Sequence, residues 1–389
     1  MGVSDLISSL VVAVAATACG GGVSAEAETA LPTQPGGGAA APTMQTLNTG
    51  LDRPWGLAQL PDGQLLVTQK GGAVARLSAD GKLQATLTGV PKVLDSGQGG
   101  LLGIAIDPDF TLAGANWVYL SFSEPGSGTD AGRAGTSVAR GRLSGDALTD
   151  VQVIFRQSPK VESPGHYGSR LVFARDKTLY ITTGERMKGA PAQDLQQTLG
   201  KVIRVNRDGG IPADNPKFSS PALPGIWSYG HRNIQGAALH PTTGELWITE
   251  HGPQGGDEVN IARAGQNYGW PVKSYGCPYG SPVGEACRIG GGTHAPTYVE
   301  PLTTWTPLSI APSGLTFYTG DMFPEWRGQL ISGSLAGTAL WRLTLDGDKV
   351  TAREKMFGDL GERFRDVIQA RDGALLIVTD GGKLLRLAR

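Results

Sequence analysis

One hairpin theme recurs six times along this chain, and a repeat of that kind leaves few folds open. Its copies read PWGLAQLPDGQLLVTQ, GLLGIAIDPDF, SRLVFARDKTLYITTG, IQGAALHPTTGELWITE, SGLTFYTGDMFPEWRGQLISG and RDVIQARDGALLIVTD. Each is an apolar run, an acidic or Gly/Pro turn, and a second apolar run, the pattern of a tight β-hairpin. The copies are anchored near Trp55, Leu102, Arg170, Gln235, Gly314 and Asp366, at spacings of roughly fifty to eighty residues. Further short strands follow several of them, as in AVARLSADGK, GKVIRVNRDGG, ALWRLTLDGDK and KLLRLAR. A solenoid would repeat at a shorter period, and a two-sheet sandwich would not repeat six times. The expected fold is all-β, a six-bladed β-propeller of four-stranded antiparallel blades over residues 44–389. A strand from residues 44–50 is expected to close the last blade against the C-terminal segment.

Composition agrees with a turn-rich fold and narrows the partners. The chain has 58 Gly and 25 Pro with only 18% charged residues, which suits many turns and few solvated helices. Its 34 Lys plus Arg and 35 Asp plus Glu produce no net field for nucleic acid or an anionic membrane. Residues 1–19 read as an export signal, an apolar segment ending in Ala16-Thr17-Ala18-Cys19. Small residues before a cysteine suit a lipoprotein signal with Cys19 acylated, and plain secretion to the periplasm is the alternative. Residues 20–43 have the Gly/Ala/Pro composition of a flexible tether. Cys277 and Cys287 then remain, ten residues apart in a Gly- and Pro-rich loop, and an oxidising compartment favours a disulfide between them.

Propeller loops at one end converge on the axis, so chemistry is sought in the unusual loops. His166 in SPGHYGSRL and His231 in SYGHRNIQG both fall just upstream of a blade strand, while His240 and His294 read as turn and loop positions. Gln98 and the pair Arg232-Asn233 enter blades in the same way. Arg363 and Arg365 flank one aromatic, so a strand would turn both toward one side. Two such cations call for an anionic ligand, unless Glu362 and Asp366 neutralise them. The turn Gly252-Pro253-Gln254-Gly255-Gly256 after His251 offers bare carbonyls that suit a hard cation such as Ca²⁺. The ligand so described is polyanionic, narrow and bridged by calcium; no P-loop or GxGxxG points to a nucleotide.

The motifs DSGQGGLLGIAIDPDF, GHYGSRLVF, IWSYGHRNIQGAALHP, EHGPQGGDEVN, NYGWP, SIAPSG and RFRDV resemble the quinoprotein soluble glucose dehydrogenase and aldose sugar dehydrogenase family across residues 45–389. That resemblance implies pyrroloquinoline quinone (PQQ) and Ca²⁺ as cofactors, and oxidation of the anomeric hydroxyl of aldoses to lactones. It makes His166 the general base, with Arg232 beside it. Gln98, Arg232, Asn233 and Ser309 would contact the quinone or the substrate, and Arg363 and Arg365 the PQQ carboxylates. The carbonyls of Gly252 and Pro253 would bind calcium, with Asp257 orienting that loop. Arg186 and Trp305 would face the substrate, and a second, structural calcium would sit around Tyr275 and Glu300. Gly165, His251 and Ala336 replace an acid, a glutamine and a lysine of the glucose dehydrogenase branch, which agrees better with the aldose sugar dehydrogenase branch. The electron acceptor and the oligomeric state are not indicated. Two other readings stay open: a calcium-dependent sugar-lactone hydrolase, and a non-catalytic propeller that binds carbohydrate or a partner.

Overall fold

The computed structural model describes residues 40–111 and 114–389. The export signal, Cys19 and the tether up to residue 39 lie outside the described residues.

The described residues form six four-stranded antiparallel sheets and no α-helix. Each sheet starts from one copy of the hairpin theme. The first strands are Pro54–Gln59, Leu101–Ile106, Leu171–Phe173, Ile234–Leu239, Pro312–Phe317 and Phe364–Gln369, and they open blades one to six. These first strands neighbour one another around the ring and so line the axis. Blade six is completed by the chain's first strand, Thr43–Asn48, which pairs antiparallel with Leu384–Ala388. The expected closure is therefore present, starting one residue earlier than read from the sequence.

The apolar runs pack between blades rather than at the centre. Leu60, Leu66 and Val74 of blade one meet Leu101, Val118, Leu120 and Phe122 of blade two. Leu57, Leu65 and Val67 on the other face of blade one meet Leu376 and Val378 of blade six. Alternate residues thus serve two different cores, as a strand's two-residue period requires. Each fully buried aliphatic side chain contributes about 1.5–3 kcal/mol to holding the ring together.

Near the axis the backbones approach too closely for side chains. A Cβ on Gly103 would lie 2.1 Å from the Ser169 carbonyl oxygen, and one on Gly236 2.2 Å from that of Ser313. Gly56 and Gly314 hold the corresponding places in blades one and five. Blades three and six place Arg170 and Asp366 there instead. They are opposite blades, and Arg170 Nη1 meets Asp366 Oδ1 at 2.8 Å across the axis. Arg170 also donates to the carbonyls of Gln235 (2.6 Å) and Arg365 (2.9 Å) and stacks on Trp55. This pair forms a floor: a small cavity of about 90 Å³ lies along the axis beside it, and the candidate residues lie at the end where the first strands begin.

Candidate active site

In an antiparallel blade the start of the first strand and the end of the second lie at the same end. Gln98, His166, Arg232 and Arg363 precede first strands; Glu185, His251 and Asp380 follow second strands. The fold therefore gathers them around one mouth.

His166 has a left-handed backbone (φ 53°) in the loop before blade three. Its N–H donates to Gln98 Oε1 at 2.8 Å, so Gln98 fixes the loop that carries it. Its Nδ1 lies 2.5 Å from Glu185 Oε1. A ring nitrogen facing a carboxylate carries the proton, which leaves Nε2 with its lone pair free of any protein partner. Glu185 is anchored in turn: its other oxygen accepts the Gly189 N–H at 2.5 Å, and its own N–H donates to the Arg232 carbonyl at 2.9 Å. Burial pulls the His166 pKa below the usual histidine range, against the opposing pull of Glu185. The ring is therefore neutral at pH 7.

Arg232 is buried, its Nη1 bonded to the His251 carbonyl (3.1 Å) and its Nη2 to the Tyr279 hydroxyl (3.1 Å). Its Nε has no partner, and neither does Asn233 Nδ2, whose Oδ1 accepts the Gly168 N–H. Two buried donors without acceptors are costly in a closed protein and suit a site that receives an acceptor-rich ligand.

The Gly252-Pro253 turn follows blade four's second strand. Asp257 holds it by accepting the Gly252 N–H at 2.8 Å on one oxygen, and the N–H groups of Ile310 (2.7 Å) and Ala311 (2.8 Å) on the other. Burial pushes the Asp257 carboxyl up to about 6 despite these three donors. Ser309 Oγ accepts the Gly255 N–H at 3.0 Å and faces the Pro253 carbonyl at 3.5 Å. No hydrogen bond ends on the Gly252 carbonyl. A Cβ on Gly252 would lie 2.2 Å from the Gly255 carbonyl oxygen, so the turn admits only glycine there. Among the described residues no group of three or more His, Cys, Asp or Glu side chains could hold a metal ion. What this turn presents to the mouth is backbone carbonyls.

Arg363 and Arg365 do point the same way, but the expected neutralisers are engaged elsewhere. Glu362 pairs with Lys383 at 2.5 Å, and Asp366 with Arg170. Both guanidiniums converge on Asp380, at 2.9 Å from Arg363 Nε and 2.7 Å from Arg365 Nε. Arg365 Nη1 also donates to Gln235 Oε1 at 2.7 Å. One carboxylate thus serves two cations. Lys70 adds a third: its ammonium donates to the Gly97 carbonyl at 2.7 Å. Burial, with the neighbouring charges of Arg53 and Arg365, holds the Lys70 pKa below the usual lysine range.

Several expected residues sit elsewhere. Arg186 is wholly buried, donating to the carbonyls of Gly165 (2.8 Å), Ala134 (2.6 Å) and Ser163 (2.5 Å) and stacked on Tyr167. It braces the His166 loop from behind rather than facing a substrate. Trp305 is buried in the core between blades four and five, edge-on to Trp341, and forms no wall of the mouth. His231 is sealed, its ring bonded to Glu250 and Ser228 at 2.9 Å each and stacked on Tyr268. Tyr275 and Glu300 do meet, hydroxyl to carboxylate, and Glu300 also accepts the N–H groups of His294 and Ala295. Cys277 and Cys287 are joined, with Cα atoms 5.2 Å apart. The residues that sequence reasoning missed are Glu185, Asp380, Lys70, Gln235 and Tyr279. Only Glu185 left a signal, following His166 by the interval that separates His231 from Glu250.

A surface depression of about 730 Å³ is remote from these groups. It lies between blades two and three around Trp117, Arg140 and Arg142, whose guanidiniums are occupied by protein acceptors.

Residues 51–386 match the family described as Glucose / Sorbosone dehydrogenase. The chain is similar to aldose sugar dehydrogenase YliI of Escherichia coli, 43% identical over 89% of this chain and 92% of that one. A structure of the soluble aldose sugar dehydrogenase (Asd) from Escherichia coli in the apo-form superposes with a TM-score of 0.83 at 40% identity, covering 90% of this chain and 99% of that one. The PQQ-bound form of an aldose sugar dehydrogenase from Streptomyces coelicolor superposes with a TM-score of 0.73 at 31% identity, covering 90% and 99%. With its fold and nearly its whole propeller matched, the chain belongs to the glucose/sorbosone dehydrogenase family.

Proposed function

We propose that this protein is a PQQ- and Ca²⁺-dependent dehydrogenase that oxidises the C1 hydroxyl of aldoses to lactones, with His166 as the base. The observation that carries the reading is the Glu185–His166 dyad, its Nε2 free, at the edge of a mouth crowded with unmatched donors. PQQ carries three carboxylates and quinone oxygens, and the groups present fit it. Arg363, Arg365 and Lys70 outnumber Asp380, and the free donors of Arg232 and Asn233 await acceptors. The carbonyls of Gly252 and Pro253 would hold Ca²⁺, with Ser309 beside them and Asp257 keeping the turn in shape. Bound there, the quinone would supply the hydride acceptor for C1 and Ca²⁺ a Lewis acid.

The chain's own part is proton handling and positioning. The proton of the C1 hydroxyl passes to His166 Nε2, and the imidazolium so formed is stabilised by Glu185 at Nδ1. Gln98 holds the His166 backbone, and Arg186 fixes the same loop from below, so the base does not drift. A lactone hydrolase would need several side-chain carboxylates or amides around its metal; the mouth offers arginines and backbone carbonyls instead. A non-catalytic propeller has no use for a His–Glu dyad whose Nε2 is left open, as that of His166 is and that of the sealed His231 is not. The same reading places a second cation beside Tyr275 and Glu300, and has the protein exported by the segment ending at Cys19.

The test is reconstitution. The purified chain is titrated with PQQ and Ca²⁺, followed by PQQ absorbance and by aldose-dependent reduction of an electron-accepting dye. Activity requiring both additions supports the reading, and absence of PQQ binding with no turnover on a panel of aldoses sinks it.

A further inference from the structure

Tyr279 is an aromatic side chain left 70% exposed in a chain that buries most of its aromatics. Its hydroxyl meets Arg232 Nη2 at 3.1 Å, and its ring lies 5.9 Å from the Arg232 guanidinium carbon. Arg232 in turn accepts the Glu185 N–H, and Glu185 holds His166. The ring thus stands two residues removed from the base, at the open edge of the mouth.

Its position is built, not incidental. Cys277 and Cys287 close the loop that carries it. Gln254, from the Gly-Pro turn itself, exchanges backbone hydrogen bonds with Cys277 at 3.1 and 3.0 Å. The Gln254 side chain then grips the loop tip immediately after Tyr279, donating to the Ser281 carbonyl (2.7 Å) and accepting the Gly280 N–H (3.2 Å). A surface loop fastened this firmly, with its aromatic ring in water, incurs the cost of exposure for a reason other than packing. Two more exposed apolar side chains flank the same mouth: Met187, two residues after Glu185, and Leu308, beside Ser309.

We propose that Tyr279 is a substrate-positioning residue whose ring face takes the C–H face of the aldose, and that Gln254 and the Cys277–Cys287 bridge hold it in place for that contact. This rests on the dehydrogenase reading above. A pyranose has one face lined by C–H bonds, which covers an aromatic ring well while its hydroxyls stay solvated. Held by Tyr279, the sugar keeps one end in the mouth toward His166 and the other toward water.

Tyr279→Ala and Tyr279→Phe are compared with the wild-type holoenzyme, using glucose and maltose as probes and a separate PQQ titration by absorbance. The expected result is an aldose KM about tenfold higher in Tyr279→Ala for both sugars, with kcat and PQQ affinity within about twofold. Tyr279→Phe, which keeps the ring and loses the bond to Arg232, restores the wild-type KM. An unchanged KM in Tyr279→Ala overturns the proposal. So does a fall in kcat and PQQ affinity shared by Ala and Phe, because Tyr279 would then act by holding Arg232. If wild type binds no PQQ and oxidises no aldose, the dehydrogenase reading itself fails and takes this inference with it.

Discussion

His166 and Glu185 stand 19 residues apart with Nδ1 2.5 Å from the carboxylate, and His231 and Glu250 repeat that interval one blade later at 2.9 Å. The two pairs are one structural device used twice. In blade four the ring is sealed by Ser228 and Tyr268; in blade three Nε2 has no protein partner.

The two pairs therefore respond differently to substitution. His166→Ala should lower kcat by about a thousandfold and Glu185→Gln by about a hundredfold, both leaving PQQ affinity within a few-fold. His231→Ala should instead cost about 2–4 kcal/mol of stability, because it opens a cavity and strands two buried groups. Steady-state kinetics beside thermal melts separate the cases; a His231→Ala protein as inactive as His166→Ala at full stability contradicts the division.

Acid should inhibit late. The His166 pKa is depressed by burial, so the neutral base persists as pH falls through the ordinary histidine value of ~6.5 and is lost only below it. Plotted against pH, kcat/KM should be flat from neutrality down to that point. A midpoint at or above it would show that Glu185 outweighs burial.

The two arginines are unequal. Arg365 is nearly buried and fixed by both Asp380 and Gln235, whereas Arg363 is half exposed. Arg365→Ala should weaken PQQ binding by about ten- to a hundredfold, Arg363→Ala by less, since solvent screens an exposed charge. Fluorescence titration of each variant at two salt concentrations checks the order.

Gly252→Ala should impair metal binding without unfolding the ring. The added Cβ collides with the Gly255 carbonyl, so the turn must change shape and its ligands move. After chelation, readdition of Ca²⁺ should restore wild type fully, while the variant should need at least ~tenfold more. Equal calcium curves would remove the turn from the metal site.

Lys201 offers a test of the scaffold. It is wholly buried, and its ammonium donates to the carbonyls of Pro191, Ala192 and Leu199 at 2.8, 3.0 and 2.7 Å. Lys201→Met leaves the Leu199 carbonyl unpaired, while the N–H groups of Asp194 and Gly230 still reach those of Pro191 and Ala192, and it should cost about 1–3 kcal/mol. Urea melts read the loss directly, and an unchanged midpoint would mean the loop re-pairs its carbonyls with water.

The blades were legible because a hairpin writes its period and its turn into consecutive residues. The floor was not: nothing in the chain says that Arg170 and Asp366 occupy matching places in opposite blades, since their contact spans the axis. Asp380 was hidden because it reaches the arginine pair from the next strand of blade six, whereas the pair's neutraliser was sought among its sequence neighbours. Trp305 and Arg186 show the converse error, in which a large residue near a site motif is read as facing the site. Their burial is set by packing against Trp341 and Tyr167, which no local pattern records.

The closing strand Thr43–Asn48 has a consequence in time. It leaves the ribosome before any blade, yet its partner, Leu384–Ala388, is synthesised at the other end of the propeller. Throughout translation it remains an unpaired strand, and blade six stays one strand short with an open edge. Ring closure thus has to wait for the last strand to be made, and it fastens the two ends of the propeller side by side.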